Sequence, residues 1–173
     1  AESTPPPPAE IQKRIDDALK EVNRQMSTYQ TDSEISQFNQ LRTVNQAMPI
    51  SQDFAYVTGE ALRLNKLTHG ALDVTVGPLV NLWGFGPQKE ITHEPTVQEI
   101  QHASEMVGTN KLKLSQDGQQ PTLAKTHPEV YLDLSSIAKG FGVDKTAAEL
   151  EKLNIGNYLV EIGRELHGTG RHA

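Results

Sequence analysis

The residues with the clearest chemical potential lie in one short segment, Leu132–Gly142, which reads LDLSSIAKGFG. Asp133 and Ser136 offer hard oxygen ligands that suit a magnesium ion beside a phosphate. Lys139 adds a point charge for a further phosphate or carboxylate. The pattern predicts a buried strand, Val130–Leu134, that turns directly into a helix, whose free N–H groups and dipole favour anions. From these residues alone, an ordinary buried strand followed by a Ser-capped helix is an equally good interpretation.

A second acid-bearing segment, Gly70–Pro87, reads GALDVTVGPLVNLWGFGP. Its first part alternates, which predicts a strand with Asp73 and Thr75 on one side. Its second part holds Trp83 among glycines and prolines, so the aromatic rings either line a pocket for a planar ligand or close the edge of a core. Tyr29, in a predicted loop, either stacks on a flat ligand or is a half-buried loop tyrosine, and the second is the commoner outcome.

Length and composition predict one domain with a polar surface, over residues 10–173 of the 173-residue chain. Residues 1–9 contain four consecutive prolines and predict a flexible, extended segment. The net charge of −6, without a cluster of Lys or Arg, argues against a nucleic-acid-binding surface. No apolar run approaches the roughly 20 residues of a membrane helix. No signal peptide begins at Ala1, so we expect any export signal to lie outside this sequence.

Several kinds of site are excluded by residue type and spacing. The chain has no cysteine, which rules out disulfides, zinc–thiolate sites and cysteine nucleophiles. Its six histidines are scattered without the HExxH spacing of a zinc site. No nucleophile elbow or Walker motif occurs, and Gly140–Gly142 lacks the third glycine of a dinucleotide fingerprint.

Apolar periodicity and capping residues predict the elements that must position these side chains. The predicted helices and short strands indicate an α+β domain with mixed or antiparallel sheets and packed helices. The predicted helices cover 11–26, a short stretch from Asp32, 51–69, 96–108 and 139–153. Capping boxes at Thr31–Glu34 and Thr96–Glu99 mark the starts of the second and the fourth of these helices. A predicted hairpin joins 112–114 to 122–124, a predicted strand covers 158–162, and a turn begins at Gly163.

Three segments resemble the signatures of one family, the FAD:protein FMN transferases. These ApbE-type flavin transferases were once called thiamine-biosynthesis lipoproteins. Met26–Asn39 is similar to the family's MSTY and DSEISxFN motifs, and Gly70–Gly86 to its GxxDxTVGPLVNLWGFG signature. Leu132–Asp144 is similar to its DLSxxAKGxxVD segment. The three occur in the family's order and the resemblance spans about 10–170.

The resemblance implies an ApbE-like, T-fold-related α+β architecture and a magnesium-dependent enzyme. Such an enzyme splits the pyrophosphate of FAD, moves FMN onto a threonine hydroxyl of a target protein and releases AMP. The implied targets are flavoprotein subunits of sodium-pumping or electron-transport complexes. The resemblance implies that Ser136 contributes an oxygen ligand to the Mg²⁺ site. It implies no catalytic residue within this sequence. The implied FAD-binding residues are Tyr29, Ala71, Leu72, Asp73, Asp133 and Lys139.

The chain departs from the family pattern in extent and at one turn. It resembles only the N-terminal half, because the family's later metal ligands and its proposed histidine base would follow Ala173, and its TMGT strand is absent. Arg164 follows Gly163 where the family usually has a second glycine, and an arginine would distort a turn that needs a positive φ there.

Two other functions are compatible with the same residues. One is a magnesium-dependent FAD pyrophosphatase that gives free FMN and AMP, and the other is a non-catalytic flavin-binding fragment. The family resemblance also implies a periplasmic location and attachment to the inner membrane through a lipid anchor on a cysteine that would precede this chain.

Overall fold

The computed structural model describes residues 6–86 and 93–171. Within them the backbone divides into two units, the first from residues 1–23 and 137–173 and the second from residues 24–136. The single domain predicted over 10–173 stays a prediction. Of the segment 1–9 predicted to be flexible, residues 1–5 lie outside the described residues, as does Pro87. No helix in the described ranges is long and apolar enough to cross a bilayer.

Helices and short strands succeed one another along the described residues. The elements are α1 (Pro8–Met26), α2 (Glu34–Gln40), β1 (Met48–Pro49), α3 (Gln52–Leu67), α4 (Gly77–Leu82), α5 (Val97–Met106), β2 (Leu112–Ser115), β3 (Thr122–Lys125), α6 (Ser135–Lys152), β4 (Tyr158–Ile162) and β5 (Glu165–Thr169).

The strands form two antiparallel sheets, which confirms the predicted α+β class. In the second unit the strand order is β1-β3-β2, with Leu114 opposite Leu123. In the first unit β4 and β5 form a hairpin, with Val160 opposite His167. The hairpin β2–β3 and the strand β4 lie where the sequence predicts them, whereas the predicted turn beyond Gly163 also contains β5.

The helix predictions hold, with one error in capping. Helices α1, α3, α5 and α6 match the predicted ranges within a few residues, and the Thr96–Glu99 capping box is present. Hydrogen bonds from Thr96, and then from His93, lower the pKa of Glu99 to about 2. The predicted Thr31–Glu34 capping box is wrong, because Ser33 caps α2 and Glu34 instead accepts a hydrogen bond from the Ser51 N–H at 2.8 Å.

Two predicted strands are absent. Residues 72–76 form turns that lead into α4, and residues 130–134 pair with no strand. The burial expected of 130–134 is nevertheless present, since Val130, Leu132 and Leu134 are buried. At 130–134 the pattern therefore identified the buried side chains but not their hydrogen-bond partners, whereas at 72–76 it identified neither, since Thr75 is fully buried and Val76 is 37% exposed.

The turn between β4 and β5 accommodates Arg164. The positive φ of this turn, +70°, falls on Gly163 and not on Arg164. The first unit has its core behind this hairpin, where Val143 and Leu150 of α6 pack with Val160 of β4. Arg164 therefore causes no backbone strain at the position where the family usually has glycine.

The core of the second unit encloses a lysine. Lys125, at the end of β3, is fully buried, and its Nζ donates to the carbonyls of Asn39 at 3.2 Å and Val130 at 3.1 Å. The ammonium also lies 5.2 Å from the centre of the Phe38 ring. Burial lowers the pKa of Lys125 to about 8, and the charge of Arg42 acts in the same direction.

This pKa predicts that folding stability rises between about pH 8 and pH 10. In that range the unfolded chain keeps the Lys125 proton, with its ordinary pKa of 10.5, while the folded chain loses it, so the unfolded state binds more protons. The gain is at most about 3 kcal/mol, at roughly 1.4 kcal/mol per pH unit. Urea unfolding at pH 7.5, 8.5 and 9.5 measures it.

Lys125→Met should remove most of this rise in stability. The matched control is Lys113→Met, since Lys113 is exposed and bonds to the Asn45 side chain at 2.8 Å. The control should keep the pH dependence of the unaltered chain. If the free energy of unfolding rose equally with pH in the two variants, Lys125 would not be the titrating group.

Candidate active site

The first acidic loop, residues 71–76, is a turn closed by its own aspartate. Asp73 Oδ1 accepts hydrogen bonds from the N–H of Thr75 at 2.8 Å and from its hydroxyl at 2.5 Å. Thr75 is fully buried, and its Oγ1 also accepts from the Gly108 N–H at 2.6 Å. Because the carboxylate captures the N–H that a strand would use, this loop forms a turn in place of the predicted strand.

The second acidic loop, residues 130–135, repeats this geometry. Asp133 Oδ1 accepts from the Ser135 N–H at 2.8 Å and from the Ser135 hydroxyl. The Asp133 N–H donates to the carbonyl of Val74 at 2.8 Å, which joins the second acidic loop to the first. The structure therefore brings together the two segments that the sequence singled out separately.

Each loop is also held by an asparagine from a helix. Asn39 of α2 bonds to both backbone polar groups of Leu132, at 2.8 and 2.9 Å. Asn65 of α3 donates to the carbonyl of Leu72 at 2.7 Å. The asparagine side chain supplies the bonds that a neighbouring strand would make to Leu132, which explains why 130–134 is extended without belonging to a sheet.

The two carboxylates keep one oxygen each for a ligand. Among the residues that the structure describes, no group donates a hydrogen bond to Oδ2 of Asp73 or of Asp133. Ser136 is exposed in the first turn of α6, an 18-residue helix, where free N–H groups and the helix dipole favour negative charge. This end of the second unit thus presents carboxylate and hydroxyl oxygens beside backbone N–H groups.

The donor types fit a magnesium ion, although they do not form a complete metal site. Carboxylate and hydroxyl oxygens are ligands that Mg²⁺ accepts, and it usually takes water and substrate phosphates for the rest of its shell. The described residues contain no cluster of three or more His, Asp or Glu that could hold a metal by itself. A metal bound here would therefore depend on ligands from outside these side chains.

A tyrosine that the sequence analysis missed lies within the second acidic loop. Burial raises the pKa of Tyr131, as do the nearby Asp133 and Tyr29, while a hydrogen bond with Thr28 acts in the opposite direction. The Tyr131 ring lies so close to Gly77 that a Cβ on that glycine would be 2.4 Å from its Cδ1. The one sequence signal for Tyr131 is its position between the buried Val130 and Leu132.

The predicted aromatic residues are more exposed than expected. Tyr29 is 80% exposed, which contradicts the half-buried loop tyrosine taken as the commoner outcome and leaves its ring open to a flat ligand. Phe85, at 84%, and Trp83, at 41%, are also exposed. They do not fill the core, so the interpretation in which they close its edge is wrong for Phe85.

The other predicted flavin-binding residues are accessible. Ala71 is exposed and Leu72 half-buried, both within the first acidic loop. Lys139, in the first unit, is exposed on α6, and its Cδ lies 3.8 Å from the position that a Cβ on Gly163 would take. These roles stay predictions, since accessibility is necessary for binding and does not prove it.

The chain resembles flavin transferases over almost its whole length. The sequence model of the ApbE family matches residues 2–173. A Haemophilus influenzae protein named FAD:protein FMN transferase is 54% identical over 160 residues, which are 92% of this chain and 46% of that protein. A Vibrio cholerae protein of the same name is 49% identical over 160 residues, again 92% of this chain and 46% of that protein.

Solved structures give the same result. The flavin transferase ApbE from Vibrio cholerae superimposes with a TM-score of 0.91 at 46% identity, covering 99% of this chain and 54% of that one. The apo form of the Pseudomonas stutzeri flavinyl transferase ApbE has a TM-score of 0.88 at 32% identity, covering 96% and 54%. The chain thus spans about half the length of the relatives that it matches.

The packing of Tyr131 on Gly77 predicts a selective effect of alanine. Gly77→Ala should lower the free energy of unfolding by about 1–3 kcal/mol, because the new Cβ overlaps the ring. The control is Gly140→Ala inside α6, where a Cβ would meet nothing within 4 Å. This variant should raise the free energy of unfolding by about 0.5–1 kcal/mol, because alanine is a better helix former than glycine. Chemical denaturation of both variants decides this, and a stabilising Gly77→Ala would refute the close packing.

Proposed function

Because the chain belongs to the ApbE family, we propose that the full-length protein transfers FMN from FAD to a threonine hydroxyl of a target flavoprotein and releases AMP. The observation that carries the proposal is the 54% identity to a protein named FAD:protein FMN transferase over 92% of this chain. The joined acidic loops support it, because they offer oxygen donors and backbone N–H groups at one end of the second unit.

The reaction requires positioning and charge neutralisation more than a nucleophile from the enzyme. The threonine oxygen attacks the phosphorus on the FMN side of the pyrophosphate. A new P–O bond forms there, the P–O bond to AMP breaks, and the hydroxyl proton passes to a base or to solvent. No nucleophilic side chain of the described residues is needed for this step.

The described residues have distinct parts in this proposal. Asp133, Asp73 and Ser136 would hold Mg²⁺ together with the FAD phosphates and water, and the ion would supply neutralisation of the pyrophosphate charge. The exposed ring of Tyr29 would stack on a flat part of FAD. Lys139 is proposed as a cation for a phosphate.

The acceptor and the location belong to the same proposal. The family resemblance points to flavoprotein subunits of sodium-pumping or electron-transport complexes as acceptors. It also points to the periplasm and to a lipid anchor on the inner membrane. Both come from the resemblance, and no contact in the described residues bears on them.

Covalent labelling tests the proposal directly. The full-length natural protein, incubated with FAD, Mg²⁺ and a candidate target subunit, should yield a target band that stays fluorescent after denaturation. Free FMN and AMP formed without any acceptor would favour the pyrophosphatase. Binding of FAD with no product under any divalent metal would leave a flavin-binding protein and refute the transfer.

Removing the charge of Asp133 should lower the metal-dependent transfer rate more than removing the hydroxyl of Tyr29. Asp133→Asn keeps the shape of the turn and removes the negative charge, and the metal-dependent rate should fall at least about tenfold. Tyr29→Phe keeps the ring that stacks and should lose much less. Rates measured over a Mg²⁺ titration make the comparison, and equal losses would argue against a place for Asp133 in the metal and phosphate chemistry.

A further inference from the structure

We propose that Asn39 and Asn65 are positioning residues, which orient the carboxylates of Asp133 and Asp73 for flavin binding. The inference rests on the proposed function, since it concerns the same site. Neither asparagine belongs to the predicted set of flavin-binding residues. Each is inferred to act only through the backbone of the residue that precedes its aspartate.

Asn39 fixes the peptide before Asp133. Its side chain is almost completely buried, at 8% exposure for the residue. Its Nδ2 donates to the Leu132 carbonyl at 2.9 Å, and its Oδ1 accepts from the Leu132 N–H at 2.8 Å. One amide side chain therefore satisfies both backbone groups of Leu132 in a buried place where unpaired groups are costly.

A buried cation holds Asn39 itself in place. Lys125 Nζ donates to the backbone carbonyl of Asn39 and to that of Val130, two residues before Leu132. The end of α2 and the start of the second acidic loop thus share one ammonium group. With Leu132 bonded at both polar groups and Val130 at its carbonyl, the backbone that enters Asp133 has little freedom.

Asn65 has the corresponding role in the first acidic loop. Its Nδ2 donates to the Leu72 carbonyl at 2.7 Å, and the Leu72 N–H donates to the Thr68 hydroxyl at 3.1 Å. Thr109 in turn donates to Asn65 Oδ1 at 2.8 Å, which fixes the orientation of the amide. The residue before Asp73 is therefore also bonded at both its N–H and its carbonyl.

These contacts determine the direction of the two free carboxylate oxygens. Each aspartate uses Oδ1 for the turn that follows it, and each is preceded by a leucine held by an asparagine. With both sides fixed, Oδ2 of Asp73 and of Asp133 has little rotational freedom left. Such preorganisation lowers the entropy lost when a ligand binds, without any contact between asparagine and ligand.

Two double-mutant cycles test this inference in the full-length natural protein. The first combines Asn39→Ala with Asp133→Ala, and the second combines Asn65→Ala with Asp73→Ala. Flavin fluorescence gives the Kd for FAD in the presence of Mg²⁺, and thermal denaturation gives the Tm of each variant. Each single asparagine variant should raise the Kd about fivefold or more. In the aspartate-variant background, the same change should raise it less than twofold, because its effect passes through the carboxylate.

Gln120→Ala is the matched control for a purely structural loss. The Gln120 side chain also bonds to a backbone carbonyl in the second unit, that of Ile50 at 2.7 Å, and has no part in the acidic loops. Its Tm should fall while the Kd for FAD stays unchanged. If Asn39→Ala fails to fold, the Asn65 cycle decides, since Asn65 is only half-buried.

The outcomes separate this inference from the proposed function. Losses in Kd that are additive with those of the aspartate variants would overturn the positioning role, and so would a fall in Tm without a change in Kd. In both cases the proposed function would stand. If Asp133→Ala and Asp73→Ala themselves leave the Kd unchanged, the site assumed by the proposed function is wrong, and the inference fails with it.

Discussion

One hydrogen bond, from the Asp133 N–H to the Val74 carbonyl, determines how the candidate site is built. It joins two acidic loops that are about 60 residues apart in sequence, and neither loop belongs to a sheet. Their remaining buried backbone groups must be paired by other means, because unpaired ones would cost more than the bond gains. Asn39 of α2 and Asn65 of α3 provide part of that pairing. The Lys125 ammonium and the Thr68 hydroxyl pair further groups of the two loops.

The aspartates serve the fold and the site with different oxygens. In both loops, Oδ1 closes a local turn by accepting from the residue two positions later, a threonine in one loop and a serine in the other. The same bond that prevents a strand thus holds the carboxylate in a defined orientation. An asparagine could close the turn with its single oxygen, but it would have no second oxygen and no negative charge left for a cation.

Sequence reasoning succeeded where the signal was local. Apolar spacing and capping residues located the long helices, and residue types identified Asp133 and Ser136 as candidate metal ligands. At 130–134 the apolar residues are the buried ones, yet their spacing does not say which groups pair with the backbone. At 72–76 the alternation does not predict burial either, since Thr75 is fully buried and Val76 is 37% exposed. The partner of Leu132 is Asn39, 93 residues away, and nothing in the spacing of either segment points to that contact.

The composition of the site suggests how a magnesium ion would be bound by it. Two carboxylates and one hydroxyl leave about half of an octahedral shell to be filled, and Mg²⁺ gives up its water reluctantly. The described residues contain no cluster of three or more His, Asp or Glu side chains that could fill the remaining positions. On the proposed function, a dinucleotide pyrophosphate brings several further oxygens, so metal and FAD would stabilise one another. Preorganised aspartates fit such a site, because their carboxylate oxygens are already oriented for the ion but do not bind it tightly before the substrate arrives.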